Sequence, residues 1–415
     1  MDEPMNAHDY AALAAQHGTP FYLYDMDAAL AHYAQFASKL PKSVDLYYCV
    51  KANTNPAVLK AYLSKVPGLD MSSGGEVEIA TRIGFDAKRM SFAGPGKCAD
   101  ELELAVKKGV GIVSVESPLE LERLATIAAK HGMRQGITIR INPHSAPKDF
   151  PMRMGGGPSQ FGIPEEDVPR IVEFAKTLQT IDLVGFHVYS GTNCLEPRAI
   201  LENVQQTLQL TVSLSRAHDV KLSIVNLGGG FGIPYFAGQV AMDNDALAKS
   251  LAGMLNEAQA SIPELSQTRF ILELGRFLIG AYGVYVTRVV DVKEARGKRF
   301  VIMDGGMNHC FPATGNFGQL IKKNYPVQNL SRDASAKTVP QELVGPLCTP
   351  IDSMARALEI PRAEVGDLLA FMHCGAYSFG ASPLFFLSHD TPLELVYNQG
   401  AYAIGRSRKK AYAFE

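Results

Sequence analysis

The chain has 415 residues, 47% of them hydrophobic and 20% charged, with a formal net charge of −2. That length exceeds one ordinary core and implies two domains. The near-neutral balance gives no reason to expect nucleic acid or an anionic membrane as a partner. No stretch approaches the ~20 apolar residues of a membrane span. Residues 1–16 carry acids and no basic segment ahead of an apolar run, so no signal peptide is expected. The six cysteines, Cys49, Cys98, Cys194, Cys310, Cys348 and Cys374, show neither CxxC nor Cys/His metal spacing. A reduced, cytoplasmic setting without a metal is the expectation.

In chain order, residues 1–30 come first, with a strand candidate at 21–24 that could join a later β domain. From 31 to 276, short β-rich runs alternate with amphipathic helical stretches. Strands are expected at 44–51, 68–73, 90–95, 112–117, 136–143, 183–190, 222–229 and 270–276. Helices are expected at 56–65, 76–83, 119–130, 166–178, 197–218 and 244–259. Strict βα alternation implies a parallel sheet, and eight units in this span predict a (β/α)8 TIM-type barrel, with an open doubly wound sheet as the alternative. Residues 146–158, which include three consecutive glycines, read as a long loop after the fifth strand, on the face where barrel enzymes work. After Arg276 the pattern changes. Strands at 282–293, 299–303, 342–347, 367–374 and 393–398, with one short helix at 352–358, predict a C-terminal antiparallel β-sandwich or barrel domain over 277–415.

The polar strand ends carry the chemistry. Strand one ends in Lys51, and strand two carries Asp70. Strand five ends in Arg140, strand six in His187 and Ser190, strand seven in Gly228-Gly229-Gly230, and strand eight in Glu273 and Arg276. In a barrel these converge on one mouth. Lys51 closes the apolar run Leu46-Tyr47-Tyr48-Cys49-Val50. Desolvation there would lower the amine's pKa and free its lone pair for an aldehyde, although a snorkelling strand-end lysine reads the same way. The glycine triplet lets backbone N–H groups approach a phosphate, or is only a tight turn. Arg276 could meet a phosphate dianion, and Glu273 a protonated pyridine nitrogen; an internal Glu–Arg pair is equally open. His187 could stack on a ring or be a satisfied core histidine. Asp70 could orient Lys51 or His187, or cap the next helix. Cys348 could reprotonate a carbanion or be merely a small hydrophobe.

Six ordered segments make the chain resemble the fold type III pyridoxal-5′-phosphate (PLP) decarboxylases, the group of diaminopimelate, ornithine and arginine decarboxylases. They are Tyr48-Cys49-Val50-Lys51-Ala52-Asn53, Gly185-Phe186-His187-Val188, Gly228-Gly229-Gly230-Phe231-Gly232, Glu273-Leu274-Gly275-Arg276, Gly345-Pro346-Leu347-Cys348 and Gly375-Ala376-Tyr377. The resemblance implies Lys51 as the Schiff-base lysine, with Asp70 and Arg140 near the cofactor ring and His187 on its face. It implies Ser190, Gly229, Gly230, Arg276 and Tyr377 around the phosphate and Glu273 at the ring nitrogen. Cys348 would reach the other subunit's site, which implies a homodimer with shared active sites.

Two departures bear on the substrate. The family usually places an acid just after the cysteine to read a distal amine; here that residue is Thr349. The segments Met152-Arg153-Met154-Gly155-Gly156-Gly157-Pro158-Ser159-Gln160-Phe161-Gly162 and Gly305-Gly306-Met307-Asn308-His309 are unlike those of the lysine-pathway enzymes. They resemble the branch that acts on amino acids attached to something larger. That branch includes the butirosin-pathway glutamyl-acyl carrier protein decarboxylase and decarboxylases of citryl-linked siderophore precursors. Arg153, Thr349 and Tyr325 are the expected substrate residues, and an acyl carrier protein could deliver the substrate. The alternatives are a diaminopimelate decarboxylase acting on free substrate, a PLP-dependent amino-acid racemase and a non-catalytic PLP-binding regulator. Racemases set an arginine at the ring nitrogen, where this chain has Glu273.

Overall fold

The computed structural model describes residues 8–411 apart from 146, 148, 149, 151, 318, 320 and 321, with Met152 and Arg153 described by their backbone alone. Eight parallel strands close on themselves: Val44–Cys49, Gly68–Met71, Met90–Phe92, Ile112–Val115, Gln135–Asn142, Ile181–Val188, Ile224–Gly229 and Arg269–Leu274. The last pairs in parallel with the first, Leu272 opposite Leu46 and Leu274 opposite Tyr48, which shuts the barrel. The expected (β/α)8 barrel is therefore present, and the open sheet is not.

The strand residues are apolar on both faces because each strand packs against the barrel interior and against a ring of helices. Leu69, Phe92, Val113, Ile139, Phe186, Val225 and Leu272 are buried, each contributing about 1.5–3 kcal/mol through burial. The helices start where a short polar side chain satisfies a free N–H. Asn55 accepts from Ala57, Ser73 from Glu76, Ser117 from Glu120 and Asp243 from Ala246. Helix Met26–Ala37, ahead of the first barrel strand, was not expected, while Ala99–Lys108 fills the interval between the third and fourth strands where the βα alternation calls for a helix. The first of these runs across residue 30.

The second sheet is built mainly from the C-terminal third, with Phe21–Asp25 inside it. That strand pairs antiparallel with Gly283–Ala295 and parallel with Leu393–Asn398. A second parallel pairing joins Lys298–Met303 to Thr338–Val344; the remaining pairings are antiparallel. Phe21, Leu23, Val284, Val286, Ala370 and Leu395 form a core separate from that of the barrel.

One expected element is corrected. Residues 352–358 do not form a helix: Ser353–Pro361 is a strand paired antiparallel with Thr338–Val344. Met, Ala, Arg, Leu and Glu favour a helix locally, but pairing and the burial of Met354, Ala355 and Ile360 override that preference. The strand carries a register shift, and Ala357 adopts φ +43° there. Strands Val327–Asn329 and Ala401–Arg406 are additions to the expected set.

Candidate active site

A cavity of about 600 Å³ opens at the C-terminal ends of the barrel strands. Lys51, Arg140, His187, Glu273, Arg276 and Tyr377 all line it. Lys51 reaches it because the first strand stops at Cys49 and Val50–Ala52 turns as a short 3-10 helix. Tyr377 arrives from the second sheet. Its backbone N–H donates to the Ala52 carbonyl at 2.8 Å, while the Asn53 side-chain amide donates to the Gly375 carbonyl at 3.1 Å. Tyr377 adopts φ +60°.

Lys51 Nζ lies 3.4 Å from Asp70 Oδ2. Asp70 is fully buried and accepts from the Ser91 hydroxyl at 3.0 Å. It does not cap the following helix, a task taken by Ser73. The expectation of a depressed lysine is corrected. Burial lowers the Lys51 amine, but Asp70, with Cys49, Tyr377 and Tyr189 beside it, outweighs burial and holds the ammonium well above its ordinary range. Asp70 is itself pushed up to about 6, by burial and by the nearby Glu273 carboxylate. The ion pair accounts for the lysine's rise; burial first, and the company of a second acid after it, account for the aspartate's.

Glu273 has the opposite fate. Its Oε1 accepts from Asn226 Nδ2 at 2.5 Å, and Oε2 lies 3.4 Å from His187 Nε2. Burial raises its pKa, yet His187, Lys51 and Asn226 together bring it down to about 2. His187 is anchored at its other ring nitrogen, 2.7 Å from Ser114 Oγ, which in turn bonds Thr138 at 2.9 Å. Glu273, not Asp70, therefore orients His187.

Among the described residues there is no Glu273–Arg276 ion pair. Arg276 donates to the Tyr235 hydroxyl at 2.7 Å, and its guanidinium stands 4.8 Å from the Tyr377 ring centroid. Its Nε is buried without a hydrogen-bond partner among the described residues. Arg140 donates to Glu116 Oε1 at 2.8 Å and covers the Phe161 ring at 5.1 Å.

The glycine triplet lies beside the cavity and does not line it. A Cβ on Gly229 would fall 1.8 Å from the Glu273 carbonyl oxygen, and one on Gly230 2.0 Å from that of Gly191. Gly230 also adopts φ +81°. Close packing against neighbouring strand ends thus suffices to require glycine here. Ser190 is buried off the cavity lining, its carbonyl accepting from the Met154 N–H. Cys348 is exposed, and neither it nor Thr349 lines this cavity. Tyr325 does line it. The backbone of Arg153 pairs with Gly191, while its side chain lies outside the described residues.

Several cavity residues escaped the sequence reading: Tyr189, Tyr235, Phe236 and Lys323 in the wall, and Glu116 behind Arg140. Glu116 follows directly on the fourth barrel strand, the same positional signal that marked Lys51.

Residues 27–280 match the family model described as "Pyridoxal-dependent decarboxylase, pyridoxal binding domain". The chain belongs to this family. It is 35% identical over 97% of its length, and 94% of the relative's, to L-glutamyl-[BtrI acyl-carrier protein] decarboxylase of Niallia circulans. It is 32% identical, over 92% of the chain and 95% of the relative, to 2-[(L-alanin-3-ylcarbamoyl)methyl]-2-hydroxybutanedioate decarboxylase of Staphylococcus aureus. The crystal structure of diaminopimelate decarboxylase from Helicobacter pylori complexed with L-lysine superposes with a TM-score of 0.86 at 28% identity, covering 97% of each chain.

The protein is a PLP-dependent carboxy-lyase, and its cavity suits that cofactor. PLP brings a phosphate, a basic ring nitrogen and an aldehyde. The cavity offers a cation without an anionic partner among the described residues in Arg276, an ionised carboxylate in Glu273 and an amine in Lys51.

Proposed function

We propose that this decarboxylase acts on an α-amino acid carried on a larger conjugate, acyl-carrier-bound or citryl-linked. One observation carries the reading: among the described residues Glu273 is the only acid in the cavity wall, and it is engaged by His187 and Asn226 deep in the barrel. A distal ammonium would enter without a counter-charge. The two conjugate-acting relatives and Thr349 support the same conclusion.

This reading gives each residue a role. When bound, PLP supplies the electron sink for the carbanion that CO2 leaves behind. Lys51 Nζ anchors the cofactor, and Asp70 Oδ2 holds the amine's proton. Glu273, kept ionised, holds a proton at the ring nitrogen. His187, fixed between Ser114 and Glu273, lies against the ring. Arg276 and Tyr377 bind the phosphate, with Ser190, Gly229 and Gly230 behind them, and Arg140 stands near the ring. Tyr189 and Tyr235 keep water out. Tyr325, Thr349 and Arg153 meet the substrate. Cys348 of the partner subunit delivers the proton to Cα, which makes the protein a homodimer with shared sites. Its setting is the cytoplasm, and the barrel ends at 276.

The test is CO2 release from acyl-carrier-bound glutamate and citryl-linked diamino acids, compared with free meso-diaminopimelate, ornithine, lysine and glutamate. Turnover of a conjugate at least ~10² above any free amino acid is expected. Strong turnover of free meso-diaminopimelate overturns the conjugate reading.

A further inference from the structure

A short lane of three mutually packed aromatic rings in the cavity wall joins Arg276 to Lys323. Arg276 meets Tyr235, whose ring lies 5.2 Å from that of Tyr325; Tyr325 lies 5.9 Å from Phe236; and Phe236 lies 5.8 Å from the Lys323 ammonium. Two glutamines hold this lane in place. Gln239 Oε1 accepts from the N–H groups of both Tyr235 and Phe236, at 2.8 and 2.9 Å. Gln319 Oε1 accepts from the Lys323 N–H at 2.8 Å.

Among the described residues four lysine and arginine side chains line the cavity, and their charges can be accounted for one by one. Lys51 is paired with Asp70 and Arg140 with Glu116. Arg276 and Lys323 make no ion pair among the described residues. The proposed function assigns Arg276 to the phosphate. Lys323 is left over, at the far end of the lane, and among the described residues the wall around it holds no acid.

We infer that Lys323 is a specificity residue that reads an anionic group at the distal end of the substrate. This rests on the proposed function and goes further, since it names the charge of the distal group and the residue that meets it. A carboxylate and a phosphate ester share the chemistry that an ammonium reads. The aromatic walls between the two ends suit an apolar or amide-containing linker, which they cover without placing demands on its hydrogen bonding. Lys323 is exposed, so the pairing is screened and of modest strength.

The experiment compares kcat/KM for CO2 release from four γ-L-glutamyl conjugates, using PLP-loaded protein. The conjugates end in β-alanine (carboxylate), phosphopantetheine (phosphate ester), n-propylamine (neutral) and 1,3-diaminopropane (ammonium). In each case the Cα–carboxylate bond breaks, CO2 leaves and a proton takes its place. The wild-type protein is expected to prefer an anionic end over the propylamide by about fivefold, and the preference should shrink in about 0.5 M salt. The β-alanine and phosphopantetheine arms tell which anion is read better. In Lys323→Met the ratio should fall to near unity, and Lys323→Glu should turn the order toward the ammonium end. Because each ratio is internal to one variant, a lower folded fraction cancels. Turnover of the conjugates with no anion preference, or with a preference that survives in Lys323→Met, overturns this inference and leaves the proposed function standing. Failure to turn over any conjugate, with free meso-diaminopimelate consumed, overturns both.

Discussion

The two carboxylates at the barrel mouth, Asp70 and Glu273, are buried to the same degree and end in opposite states. Asp70 faces a lysine on one side and feels Glu273 on the other; it is pushed up to about 6. Glu273 is braced by His187 and Asn226 and falls to about 2. Burial works against the charge in both cases, so the difference comes from the neighbours alone. The Glu273 side is a closed chain, Asn226–Glu273–His187–Ser114–Thr138, in which the Asn226 amide donates to one carboxylate oxygen and His187 Nε2 stands 3.4 Å from the other. The Asp70 side is an ion pair in which the proton stays on Lys51 while Asp70 itself titrates at about 6. A site that must hold one proton still and move another is served by this division.

The signs follow from linkage. Glu273, depressed, adds stability that is present above its ordinary value and is lost as pH falls through about 2. Asp70, raised, favours the folded state while protonated, and that contribution is lost as pH rises through about 6.

The largest effect expected is at the lysine that the pair serves. Lys51→Ala should lower CO2 release by on the order of 10⁴-fold and abolish the long-wavelength absorbance of lysine-bound cofactor. Persistence of that band would remove Lys51 from the anchor role. Next, Glu273→Gln takes away a fixed charge while keeping the shape. A fall in kcat of about 10²–10³-fold is expected, together with a flatter loss of thermal stability between pH 4.5 and 2. An unchanged kcat would mean that the closed chain is scaffolding only. Asp70→Asn removes the group that holds the Lys51 ammonium up. PLP uptake by the apoprotein, followed spectroscopically against pH, should then reach half its maximal rate at lower pH than in the wild type. An unmoved midpoint would break the contrast between the two acids. The smallest effect belongs to Ser114→Ala, which frees one nitrogen of His187 and should cost about 1 kcal/mol of stability in denaturant unfolding.

Much of this was legible because strand ends are easy to recognise. Lys51, His187, Glu273 and Arg276 each close an apolar run, and the barrel gathers such positions at one mouth. Their charge states were not legible. Burial of Lys51 suggested a depressed amine, whereas Asp70, nineteen residues away in sequence, reverses the sign. The same holds for the strand Ser353–Pro361, whose residues favour a helix until Thr338–Val344 lies beside them. The glycine triplet was read toward phosphate, while its tightest contacts are with neighbouring backbone. In each instance local chemistry was read correctly and a partner distant in sequence decided the outcome. Lys323 left no signal at all, since its position depends on a lane of rings drawn from separate segments.

The strand Phe21–Asp25 lies between Gly283–Ala295 and Leu393–Asn398, and this arrangement sets an order of events at the ribosome. It is made before both of these partners and must wait for the later one, Leu393–Asn398. At about 5–20 residues per second the delay is roughly 20–70 s. During that time Phe-Tyr-Leu-Tyr has at least one unpaired edge, both until Gly283–Ala295 is made and one thereafter, open to pairing with other chains. The barrel, whose strands pair mainly with their neighbours in sequence, can assemble meanwhile. Tyr377 then reaches the mouth only when the second sheet closes, so a nascent chain holds a formed barrel well before it holds a complete site.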